Sequence, residues 1–186
     1  MNAGAVVALA VAAPLALAAG DAAPRAFSAL APGTALPGPW RVLVPPRAKP
    51  PGIALVADGG VTVLRVRSQA AAGTAALPLA DAPANATLAW RWKVDRVVAS
   101  ADLATKAGDD FAARVYVFFD VPADELSLGA RVKLAIARLL YGEALPSTAL
   151  CYVWDNRHPA GTAAWSAYTD RVRVVVLESG AARAGQ

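Results

Sequence analysis

Between Asp102 and Arg114 the chain gathers Asp102, Lys106, Asp109, Asp110 and Arg114, and this stretch holds its main candidates for acid, base or cation chemistry. Adjacent residues entering a strand point to opposite faces, so only one of Asp109 and Asp110 can look into a given cleft. A calcium ion takes about six oxygen ligands, and Asp110 with Asp155, Asn156 and loop carbonyls could supply part of that shell. A glycosidase places two carboxyl groups about 5–10 Å apart across a bound sugar, which Asp110 and Asp155 satisfy only if their strands are neighbours. The plainer expectation is an ion pair of one Asp with Arg114 or Arg91, the other capping a turn.

Trp90, Trp92, Tyr116, Tyr152 and Trp154 carry the flat faces on which sugar rings stack, although tryptophans in strands more often fill a core. Tyr116 and Trp154 are the two expected to be displayed. With Arg91, Arg114 and Asp110 they make up the expected ligand-binding set, while no catalytic residue is assigned. His158, the sole histidine, precedes a proline and has no Cys partner at metal-ligand spacing, so it is expected to be a solvated loop residue. Cys151, the sole cysteine, lies among apolar neighbours and reads as a small buried side chain, with no disulfide possible within the chain. Glycine-rich phosphate loops are absent, and Asn85-Ala86-Thr87 matches a glycosylation acceptor of little weight.

The elements that must position these residues read mainly as strands. Val61–Arg67 is β-branched and bounded by Gly59-Gly60. From Thr87 to Asp95 the alternation puts Leu88, Trp90, Trp92 and Val94 on one face and Ala89, Arg91, Lys93 and Asp95 on the other, the pattern of a half-buried strand. Phe111–Asp120 is purely polar on neither face, with Phe111, Ala113, Val115, Val117 and Phe119 on one and Arg114, Tyr116, Phe118 and Asp120 on the other, and predicts an interior strand. Ala149–Asp155 and Arg171–Glu178 follow, separated in part by a turn-rich loop from Asp155 to Gly161. Leu126–Tyr141 changes to helical spacing, with Leu128, Val132, Ala135, Ile136, Leu139 and Leu140 on one side, and predicts one amphipathic helix packed on a sheet. Six or seven strands without a helix at each crossover argue against a doubly wound sheet and for a sandwich.

With 186 residues the chain suits one core rather than two, and much of its 56% hydrophobic content is alanine, which leaves the core to a few Val, Leu and Trp segments. The formal charge of +4 is dispersed rather than clustered, so nucleic acid is not an expected partner. Residues 1–19 hold no charge, and their apolar run ends near Ala16-Leu17-Ala18, a small-x-small pattern suited to signal-peptide cleavage. The run is too short and alanine-rich for a stable span, so no integral membrane helix is expected in the mature chain. The reading is therefore a signal peptide over 1–18 without a basic start, an Ala/Pro-rich leader over 19–52 with an edge strand at Trp40–Val44, and a domain over 53–186. The expected location is the periplasm or the exterior.

Three segments, Leu88-Ala-Trp-Arg-Trp-Lys-Val-Asp95, Ala101 through Phe119 with its Lys106-Ala-Gly-Asp-Asp-Phe-Ala-Ala-Arg114 block, and Ala149-Leu-Cys-Tyr-Val-Trp-Asp-Asn156, together resemble the bacterial secreted domain of unknown function 3047 family. The resemblance runs from about Trp40 to the end. It implies an antiparallel, jelly-roll-like β-sandwich of the kind found in carbohydrate-binding modules. It also implies that an Arg-rich segment and an acidic Asp-Asn-Thr-Gly stretch of the family pattern are missing at the C-terminal side. The function expected first is non-catalytic binding of a glycan or other envelope component. A polysaccharide hydrolase or lyase using paired carboxylates, and an interaction domain without a small ligand, are the alternatives.

Overall fold

A computed structural model of the chain describes residues 9–13, 25–79, 87–119, 121–129, 131 and 147–186. Among them run nine strands: β1 (Leu9–Ala13), β2 (Arg41–Leu43), β3 (Gly52–Asp58), β4 (Val61–Arg67), β5 (Thr74–Pro78), β6 (Ala113–Phe119), β7 (Thr148–Asp155), β8 (Ala163–Ser166) and β9 (Thr169–Ser179). Seven form one sheet in the order β2-β5-β1-β6-β7-β9-β8, and β3-β4 form a separate hairpin. The chain is thus mostly β. β4 falls on the residues that its β-branched run predicts, and β2 is an edge strand as expected.

The sheet is mixed rather than antiparallel throughout. β6 and β7 pair antiparallel, with Arg114 opposite Val153 and Tyr116 opposite Cys151, but β7 and β9 run parallel. The parallel pairing follows from β8, which takes the hairpin position beside β9 that a meander would have given to β7. The backbone of β1, inside the expected signal peptide, lies parallel to both β5 and β6. The helix expected over Leu126–Tyr141 falls mostly outside the described residues, and among the described ones no helix reaches seven residues. None of the described helices is long and apolar enough to cross a membrane.

Residues 87–94 correct one expectation. Their burial alternates as the sequence predicts, with Leu88, Trp90 and Trp92 half-buried, Val94 buried and the residues between them exposed, yet they join no ladder. Side chains hold the segment instead: the Trp90 ring meets Tyr152 at 5.4 Å and the Trp92 ring meets Trp154 at 6.0 Å. Alternation along β7 puts Tyr152 and Trp154 on one face of the sheet and Cys151, Val153 and Asp155 on the other. The following stretch crosses to that second face, where Val98, Ala101, Leu103 and Phe111 form the core with Cys151, Val153, Val174 and Val176. One connection between β5 and β6 therefore covers both faces of the sheet and does much of what a second sheet would do.

Candidate functional site

The five expected binding residues divide between the two faces. On the face covered by residues 98–111, Arg114 is buried at the start of β6 and its guanidinium donates to Asp109 Oδ1 at 2.9 Å and to Tyr116 OH at 3.3 Å. It also stacks over the Phe111 ring at 4.7 Å, while its Nε is buried with no partner among the described residues. The expected ion pair is thus made by Asp109. Asp110 is left half-buried beside it, and burial, with help from Asp109 and against the pull of Arg114, raises its pKa above the ordinary carboxylate value. Burial pushes the neighbouring Cys151 thiol up to about 11 and raises the Tyr116 phenol as well, so both are neutral at physiological pH. Tyr116 lies half-buried and stacked on Phe118 at 5.2 Å, with little free face to offer a ligand.

Asp155 belongs to a different constellation. It is wholly buried at the end of β7, and its Oδ2 accepts the His158 backbone N–H at 3.0 Å and lies 2.8 Å from His158 Nδ1. Its Oδ1 is buried without a partner among the described residues. His158 Nε2 lies 4.0 Å from Asp102 Oδ1, and Arg157 donates to Asp102 Oδ2 at 3.2 Å. The side chain of His158 is 30% exposed, so it is a clasp between two loops rather than the solvated residue expected. Of the two acids expected to share a calcium ion, Asp155 is thus taken up by His158, while Asp110 stands beside Asp109 and Arg114. Among the described residues no three His, Cys, Asp or Glu side chains converge as a metal site requires.

The other face of the sheet holds the more open site. A depression of about 380 Å³ is lined by Arg91, Trp92, Trp154, Glu178, Arg183 and Gln186. β7 and β9 supply Trp154 and Glu178, which are opposite each other in the ladder across an irregularity in register. The aromatic extended segment supplies Arg91 and Trp92, and the turns after β9 supply Arg183 and Gln186. Trp154 is only 3% exposed and its Nε1 donates to the Gly180 carbonyl at 3.0 Å, so it forms the floor and cannot be the displayed platform that was expected. The half-buried Trp92 takes that place. Arg183 donates to Glu178 Oε2 at 2.9 Å, whereas Arg91 is exposed and has no ion-pair partner among the described residues. Glu178, Arg183 and Gln186 are invisible as site residues in the sequence, because only the β7–β9 register brings them to the tryptophans.

No curated protein and no solved structure matches the chain at a significant level. The family model described as Protein of unknown function (DUF3047) matches residues 39–186, which hold β2 through β9, both covering segments and every side chain of the depression. That match spans well over half of the sequence, and the chain belongs to this family.

Proposed function

We propose that the chain is an exported, jelly-roll-like β-sandwich domain that binds a glycan or another envelope component, without catalysis, in the depression between Trp92, Trp154 and Arg91. The observation that supports this reading is the meeting of a half-buried indole with an unpaired guanidinium and the Gln186 amide in one open concavity. A sugar offers an apolar ring face to such an indole and hydroxyls to the polar groups around it. Calorimetric titration of the chain with a panel of soluble envelope glycans tests it. Binding should weaken by roughly tenfold in Trp92→Ala, the size of one aromatic contact. Equal affinity in the variant, or no glycan bound at all, would count against the reading.

A polysaccharide hydrolase or lyase is the second reading, favoured by one observation: the raised pKa of Asp110 beside Asp109 and Arg114, the direction a general acid needs. Release of reducing ends that disappears in Asp110→Asn would establish it.

A further inference from the structure

We infer that the ligand of the Trp92 depression is an acidic saccharide whose single carboxylate is read by Arg91; the inference rests on the glycan reading above and narrows it to a class. Of the two arginines that line the depression, Arg183 is already matched by the Glu178 carboxylate at 2.9 Å. Glu178 is matched twice over, since its Oε1 also accepts the Ser179 backbone N–H at 3.1 Å. Among the described residues Arg91 is left as the one lining residue whose charge has no partner.

A guanidinium presents a planar fork of donors that suits a carboxylate bidentately, and its charge is answered by a monoanion. With Glu178 and Arg183 paired, the lining side chains carry one net positive charge, which a monoanion balances and a doubly charged phosphate exceeds. The neighbouring Trp92 is half-buried, so a ring set against it can turn a ring-borne carboxylate toward Arg91. A uronic-acid residue carries an apolar ring face and one carboxylate on the same ring, and it satisfies both walls at once. Because Arg91 is exposed, the contact is screened by salt and its energy is modest.

Calorimetric titration with a trigalacturonate, its fully methyl-esterified form, a neutral trisaccharide and inorganic phosphate tests the inference, with Arg91→Ala and Arg91→Lys beside the native chain. The acid form should bind roughly tenfold or more tightly than the methyl ester, and Arg91→Ala should abolish that difference. Arg91→Lys should restore only part of it, because a lysine keeps the charge and loses the fork. Thermal melts of both variants should match the native chain, since Arg91 makes no hydrogen bond or ion pair among the described residues and sits at the surface. Equal binding of acid, ester and neutral sugar would overturn the inference and leave the glycan reading standing. Inorganic phosphate binding as well as the trigalacturonate would overturn it in favour of a plain anion site. If no saccharide binds, both fall.

Discussion

Asp155 shows how one side chain can carry structure that its sequence context conceals. A wholly buried carboxylate is costly unless hydrogen bonds answer it, and here the His158 backbone and ring answer one oxygen while the other has no partner among the described residues. Asp155→Ala should lower unfolding stability by about 2–4 kcal/mol, by loss of the loop clasp, while Asp155→Asn should cost less because its amide still accepts from the His158 N–H. Denaturant unfolding of the two variants checks the order. Asp110 makes the opposite case. Its folded pKa is raised, so the folded state holds the proton more tightly than the unfolded chain does, and stability falls as pH rises from the ordinary carboxylate value to the raised one. Asp110→Asn removes that penalty, so the variant should gain melting temperature relative to the native chain at pH 7 but not at pH 3. A gain of equal size at both pH values would mean that the carboxylate is not the source.

At the scale of the element, the loop that caps the core depends on close backbone approach at Gly108. A Cβ added there would lie 2.5 Å from Asp102 Cβ and 2.8 Å from the Asp102 backbone nitrogen and oxygen, and the Asp102 N–H donates to the Gly108 carbonyl at 2.8 Å. Gly108→Ala should therefore destabilise by about 2 kcal/mol or more, visible as a lower denaturant midpoint, since the atoms in the way include backbone. Elements of this kind were only partly legible in the sequence. β4, β6, β7 and β9 announce themselves through β-branched and aromatic runs, and each lies within about two residues of its expected bounds. β3, β5 and β8 were missed, because Ile53-Ala-Leu-Val-Ala57 sits against Pro50-Pro51, Thr74–Pro78 is mostly alanine and ends on proline, and Ala163–Ser166 has four residues. Trp90 and Trp92 were correctly turned inward, but alternation reports which side chains are buried and not whether the backbone finds a partner strand. The binding set suffered from the same gap. Arg114 and Trp154 look like neighbours on a face until the β6–β7 register sets Ala113, not Arg114, opposite Trp154.

For the molecule as a whole, the large sheet leaves two edges, β2 and β8. On the first, Val42, Leu43 and Val44 are 46%, 53% and 38% exposed in succession, which is an invitation to pair with another chain. Among the described residues, Arg41 before them and Pro45-Pro46 after them oppose that pairing. Leu43→Lys should leave the melt within about 0.5 kcal/mol of the native chain and delay the onset of light scattering at high protein concentration. No delay would mean that aggregation starts elsewhere.

The parallel ladder between β7 and β9 has a temporal consequence. β7 lies between β6 and β9, and its partners begin at residue 113 on one side and end at residue 179 on the other. A chain emerging from the ribosome in order therefore cannot close its central sheet until residue 179 has appeared, and pairing so distant in sequence folds over milliseconds to seconds rather than microseconds. Until then such a polypeptide stays threadable, an open strand of chain that has not yet closed on itself.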